Sequence, residues 1–212
     1  MKPYPKIETL YERDADFSIT DVLKRPVLAS ISEWLVTEKI DGMNIRVDVR
    51  PNEHGDCVRF AGRSDNAEIP TDLMEYLERT FTLEQLVDLR RSGDDGMAIT
   101  LYGEGYGAGI QKGGSYSNDK RFILFDVLLG DEWWMTDEVV SEFAARLGIA
   151  RVPILGTYTL RAIRAIVRRG FHSIIAPTRM AEGIVARTLE PLFDRRGQRL
   201  IIKLKTDDWK GK

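Results

Sequence analysis

The chain has 212 residues, a formal net charge of −2, 43% apolar residues and 30% charged residues. This fits one large or two small globular domains with a sizeable core, and it excludes a protein that holds a polyanion by overall positive charge, leaving that task to a local patch. Cys57 is the only cysteine, and His54 and His172 are the only histidines. That rules out an internal disulfide and a cysteine cage for a metal, and it argues against a zinc site.

Residues 1–30 mix acids and prolines with apolar residues, so they read as neither signal peptide nor membrane span. The expectation is a cytoplasmic protein with no membrane partner. Trp34–Lys39 reads as a strand. Ile45, Val47 and Val49 then alternate with Arg46, Asp48 and Arg50, a strand period, and a polar turn around Gly55 leads back through Cys57 to Ala61 as a hairpin. Asp72 is placed to cap a helix with Leu73, Tyr76 and Leu77. Thr82 and Gln85 have capping-box spacing before Leu86 and Leu89.

Met97 to Leu101 reads as a strand that enters a glycine-rich stretch, Gly103 to Gly114. That stretch lacks the spacing of a Walker-type phosphate loop and reads for the most part as a flexible surface loop. Arg121 to Leu129 is a further strand, turned back at Gly130-Asp131 through Trp133 and Trp134. Thr136 or Asp137 caps a helix ended by Gly148, and Thr159 caps another ended by Gly170. Glu182 to Arg187 and Leu200 to Lys205 are strand-like. Hairpin-joined strands with three or four helices between them predict an α+β fold with antiparallel sheets, and no linker or repeat divides residues 1–212.

Two stretches are locally basic. Arg161, Arg164, Arg168 and Arg169 read as a solvated helix face. Arg195, Arg196, Arg199, Lys203 and Lys205, with Lys210 and Lys212 beyond, form the other stretch. Lys203 and Lys205 share one face of one strand, which is costly unless that face meets solvent or an anion. Taken singly, Lys39-Ile-Asp-Gly42 is most simply a turn, and Glu104 a charge at a strand end. Glu182 opens an apolar strand and has the chemistry to bind Mg²⁺. Phe122 and Phe125 lie three apart, so they point to opposite faces.

In order, these segments resemble the covalent nucleotidyltransferases, the family of polynucleotide ligases and capping guanylyltransferases. Lys39-Ile-Asp-Gly42, Gly62-Arg63-Ser64, Tyr102-Gly103-Glu104, Phe122-Ile-Leu-Phe125-Asp126, Glu182-Gly183-Ile184-Val185 and Lys203-Leu204-Lys205 are similar to its motifs I, Ia, III, IIIa, IV and V. Glu38-Lys39 with Asn44 resembles the RNA ligase branch that includes phage RNA ligase 2 and the RNA-editing ligases, with Asp41 where the phage enzyme has His.

The resemblance implies a nucleotidyltransferase fold with an ATP cleft between antiparallel sheets, flanked by helices. It implies a single adenylation domain over 1–212, without the OB or helical domain found in relatives. ATP and Mg²⁺ or Mn²⁺ are the implied cofactors. Lys39 would be the nucleophile, forming lysyl-AMP, and Lys203 and Lys205 would contact the α-phosphate. Arg63 and Glu104 would hold the ribose, and Phe122 would stack on adenine with Phe125 in the core. Glu182 would hold the metal, Glu38 would lie near the nucleoside, and Asn44 would act in sealing. The implied partners are nucleic acids with 5′-phosphate and 3′-hydroxyl ends, RNA favoured, with an accessory protein supplying substrate grip.

The chemistry needs such residues. A neutral amine attacks the α-phosphate, neighbouring positive charge disfavours an ammonium, and spreading phosphate charge is stabilised by lysines and a metal. The alternatives are a GTP-using capping enzyme and a non-catalytic nucleic-acid-binding relative.

Overall fold

The computed structural model describes residues 1–91 and 96–209. Lys210 and Lys212 lie outside the described residues. In chain order the strands are β1 (Glu8–Thr9), β2 (Tyr11–Arg13), β3 (Ile19–Leu23), β4 (Trp34–Lys39), β5 (Met43–Asn52) and β6 (Gly55–Ala61). Helices α1 (Thr71–Thr80) and α2 (Leu83–Arg91) follow, then β7 (Ile99–Tyr106), β8 (Arg121–Leu129), β9 (Trp133–Trp134) and α3 (Asp137–Leu147). The chain continues through β10 (Ala150–Arg151), β11 (Ile154–Tyr158), α4 (Leu160–Arg169), β12 (Gly183–Arg187) and β13 (Ile201–Lys205). The expected α+β fold with mainly antiparallel sheets is present. The pairs β1–β13 and β8–β10 are parallel.

The chain gathers into two compact units, Met1–Tyr4 with Asp41–Arg151 and Pro5–Ile40 with Val152–Lys212. The first unit is built on a sheet in the order β10-β8-β7-β5-β6, with β9 on β8. Alternation along β5 sends Ile45, Val47 and Val49 into a core with Leu73 and Leu77 of α1, Leu86 of α2 and Val140 of α3. The other face carries Arg46, Asp48, Tyr102 and Asp126, all fully buried. The Tyr4 hydroxyl donates to Asp126 at 2.8 Å, and its ring packs on Tyr102 and Trp134.

The second unit is built on a sheet in the order β1-β13-β12-β4-β11. One face of its central strands contributes Trp34, Val36, Ile184, Ala186, Ile202 and Leu204 to a core with Ile163 and Val167 of α4. Arg164 of α4 instead pairs with Asp21 and lies over the Tyr11 ring, while Arg161, Arg168 and Arg169 are exposed.

Capping follows the sequence unevenly. The Thr82–Gln85 box forms reciprocally, with Thr82 N–H donating to Gln85 Oε1 and Gln85 N–H to Thr82 Oγ1, each at 3.3 Å. Thr159 accepts from Ala162 N–H at 3.3 Å. Gly148 ends α3 in the left-handed region at φ 63°. Thr136 precedes α3 without a side-chain bond, and α1 starts behind Pro70, leaving Asp72 inside its first turn. The glycine-rich stretch departs from a surface loop: β7 runs on to Tyr106, and Gly105, Gly107 and Gly113 are buried. Leu77 is fully buried in the first unit's core. Leu77→Ala is expected to lower stability by about 2–5 kcal/mol in urea denaturation.

Candidate active site

Three strands of the second unit hold the candidate chemistry. Register places Gly183 of β12 opposite Lys39 of β4 on one side and opposite Lys205 of β13 on the other. Two residues along, Val185 lies between Thr37 and Lys203. Because side chains alternate with period 2, Lys39, Lys205 and Lys203 share one face. Gly183 puts no side chain between the first two. A Cβ built there would lie 2.0 Å from the Leu204 carbonyl oxygen, so β13 approaches more closely than any other residue allows.

Glu182, directly before Gly183, takes up the two ammonium groups. Lys39 Nζ donates to its Oε2 at 2.6 Å, and Lys205 Nζ lies 2.6 Å from its Oε1. The carboxylate is 12% exposed, against 22% for Lys39 and 43% for Lys205. Charge-assisted pairs at this distance are short and strong. Lys39, Lys203 and Lys205 thus lie on one face of this sheet, with the Glu182 carboxylate set between Lys39 and Lys205.

Glu38 does not share that face. It neighbours Lys39 in β4, so its side chain points the other way, in the row of Ile184 and Leu204, and is 1% exposed. Its Oε2 accepts from Ile174 N–H at 2.8 Å, while Oε1 is buried without a partner. Burial pushes the Glu38 carboxyl above its usual value of 4.5, and hydrogen bonds from Ser173 and Ile174 with the Arg179 charge offset this only in part. Ser173 and Ile174 carry no local sequence signal for this task, since they lie 135 and 136 positions along the chain from Glu38.

The remaining expected residues belong to the first unit. Asn44 and Glu104 face each other across β5 and β7, and Asn44 Oδ1 is buried without a partner. Arg63 is exposed on the turn after β6. That turn is fastened by the buried Arg46, which donates to the Gly62 carbonyl at 2.7 Å and pairs with Asp65 at 2.8 Å. The Asp-Gly after Lys39 is also held. Asp41 N–H donates to the Tyr116 hydroxyl at 3.2 Å, and a Cβ on Gly42 would lie 2.3 Å from the Gly105 carbonyl oxygen.

Phe122 requires a correction. Expected to stack on a base, it is 1% exposed and sits in the helix-covered core, edge-on to Phe81 at 5.2 Å. It pairs with Gly105, one row from the Asn44–Glu104 row, and so lies on the opposite face. Phe125, expected in the core, is the less buried of the two and meets Tyr4 edge-on at 5.0 Å. A register shift pairs Gly103 with Leu124 and Tyr102 with Asp126, leaving Phe125 as the extra residue of a bulge.

Two measurements probe this architecture. Gly183→Ala is expected to cost about 1–3 kcal/mol in thermal unfolding, because the added methyl group drives β12 and β13 apart. Glu38→Gln is expected to remove a pH dependence. A carboxyl raised by burial favours folding fully below its unfolded value near 4.5, and that contribution is lost as pH rises through the folded value. The variant should therefore match the parent in acid and exceed it in urea stability towards neutral pH.

Comparison with known proteins places this geometry. The family model for RNA ligase matches residues 32–205. No curated protein matches. Among solved structures, Naegleria gruberi RNA ligase with PPi superposes on 99% of this chain and 63% of its own, at TM-score 0.63 and 19% identity. A variant of that ligase with ATP and Mn gives TM-score 0.66 at 19% identity, covering 99% of this chain and 64% of that one. Another variant, with AMP and Mn, gives 0.63 at 23% identity, with 96% and 60% covered. At these identities the likeness is one of fold, and this chain spans under two thirds of the length of those ligases. With the family match running from just before β4 to the end of β13, the chain belongs to the RNA ligase family.

Proposed function

We propose that this chain performs the adenylation step of an ATP-dependent RNA ligase, with Lys39 as the nucleophile. The observation that carries this reading is the single carboxylate of Glu182 set between Lys39 and Lys205 at 2.6 Å from each. Family membership supplies the class of reaction. The solved relative has been captured with ATP and Mn, with AMP and Mn, and with PPi.

The neutral Lys39 amine attacks the α-phosphorus of ATP, its nitrogen gains a bond to phosphorus, and pyrophosphate leaves with the electrons of the broken P–O bond. The amine proton goes to solvent. Lys203 and Lys205, on the same face as Lys39, are placed to take the negative charge that spreads over the phosphate oxygens. A 5′-phosphate oxygen of the nucleic acid then takes the adenylyl group from Lys39, and a 3′-hydroxyl displaces AMP to close the phosphodiester.

A divalent cation fits this site through one carboxylate. Among the described residues no three His, Cys, Asp or Glu side chains gather into a cage. A single acid suits a Mg²⁺-like ion whose other ligands are water and phosphate oxygens. Glu182 is the residue that would hold it, and the ion would supply further neutralisation of phosphate charge. In the first unit, the facing pair Asn44 and Glu104 offers polar atoms suited to the hydroxyls of a nucleoside.

Incubation with α-labelled ATP and Mg²⁺ tests the proposal. The expected result is a protein–AMP adduct that survives denaturation and is released by acid, as a phosphoramidate is. Lys39→Ala should abolish it. An unaltered adduct in that variant would assign the nucleophile elsewhere, and preferential labelling from GTP would point to the capping-type reaction.

A further inference from the structure

The segment joining β12 to β13 ends in a built turn that the reaction described above does not use. Asp194 N–H donates to the Gln198 carbonyl at 2.8 Å, and Gly197 N–H to the Asp194 carbonyl at 3.0 Å. The Asp194 carboxylate accepts from the backbone N–H groups of Arg196 at 2.8 Å and Gln198 at 2.9 Å. Gly197 takes the left-handed region at φ 71°. This is the Asp-x-x-Gly arrangement of a type I turn closed by a left-handed glycine. Its two central positions are Arg195 and Arg196, both exposed.

The Asp194 charge is committed to the turn and to Arg25, which reaches it at 2.9 Å. The tip therefore presents two guanidinium groups whose nearest acid is already engaged. Directly before it come exposed apolar side chains. Phe193 is 47% exposed, and Leu192 and Leu189 are similarly open. Phe193 is held in place by a backbone bridge to Arg199, and Leu200 N–H donates to the Leu192 carbonyl at 2.8 Å. A half-exposed aromatic beside two arginines on a rigid turn matches a single-strand nucleic-acid contact, where a ring stacks on a base and cations meet phosphates.

We propose that the 188–199 turn is a grip for the nucleic-acid substrate, with Phe193 stacking on a base and Arg195 and Arg196 meeting backbone phosphates. This deepens the ligase reading and rests on it for the identity of the polyanion. The turn lies at the Arg187–Ile201 end of the strands whose other end carries Glu182 and Lys205. Four steps of β12 separate Gly183 from Arg187, about 13 Å at about 3.3 Å per residue. That spans about four nucleotides of one strand at about 3.4 Å each. The grip therefore meets a strand a few nucleotides away from its reacting end.

The test uses the whole chain with a fluorescent single-stranded RNA carrying a 5′-phosphate. Phe193→Ala is expected to weaken binding about 10-fold, and Phe193→Trp to restore it. The double substitution Arg195→Ala with Arg196→Ala is expected to reduce the slope of log affinity against log salt by about 1.4. Labelling by ATP should be the same in all these variants as in the parent, as should the melting temperature. Unchanged RNA affinity and salt slope would overturn the proposal, as would a loss of binding that Trp does not restore. If the parent protein forms no AMP adduct, the adenylation reading fails, while RNA affinity still decides the grip separately. Intact RNA binding with lost association of a protein partner would assign the turn to protein docking and overturn the nucleic-acid proposal.

Discussion

One carboxylate between two ammonium groups organises the second unit's chemistry. Lys39 and Lys205 lie on strands that never touch each other, because β12 separates them. Glu182 reaches both, and the residue after it has no side chain and lets β13 close in. At a surface-like effective dielectric each such pair gains about 6 kcal/mol of Coulomb energy before desolvation, and desolvation returns much of it. The net gain is modest, and the geometric effect is larger. Two cations are kept a few ångströms apart on one face, ready for any anion that replaces the carboxylate. In the proposed reaction a phosphate group replaces the carboxylate, with Lys39 attacking as the neutral amine and Lys205 meeting phosphate charge.

Adjacent residues of β4 divide two tasks by alternation. Lys39 faces the carboxylate of Glu182, and Glu38 faces the core and accepts a bond from the 173–174 backbone. Burying Glu38 with one oxygen unpartnered is unfavourable. Its hydrogen bonds tie β4 to a segment more than a hundred residues away. That tie restrains the end of the strand from which Lys39 projects.

Much of this was legible in the sequence where local rules apply. Trp34–Lys39, the 43–61 hairpin, the Thr82 box and the glycine stops of α3 and α4 follow from periodicity and capping chemistry. Lys203 and Lys205 stood out because period 2 puts two charges on one face. What local rules miss is pairing at long range. No spacing shows that Gly183 sits between Lys39 and Lys205, or that Glu38 meets Ile174. The short strands β1 to β3 and β11 escaped because their apolar residues are too few to show a period. The aromatic pair shows a further limit. Alternation correctly parted Phe122 from Phe125, but which face lies under helices α1 to α3 depends on the whole sheet. The bulge at Phe125 has no sequence marker either.

The glycines after Lys39 connect these observations. The boundary between the units falls between Ile40 and Asp41, so the residues that follow the candidate nucleophile are fixed by the first unit's own packing. Gly42 lies against the Gly105 carbonyl and the Glu104 side chain, and Gly113 lies against the Asp41 carbonyl. Side chains at 42 or 113 would push these backbones apart. The stretch 103–114 is therefore rich in glycine for close approach more than for flexibility. It clasps Asp41-Gly42 and at the same time orients Glu104 beside Asn44. Motifs far apart in the chain are thus held by direct backbone contact. This explains why Asp41, Gly42 and Glu104, distant in the chain, lie together within the first unit.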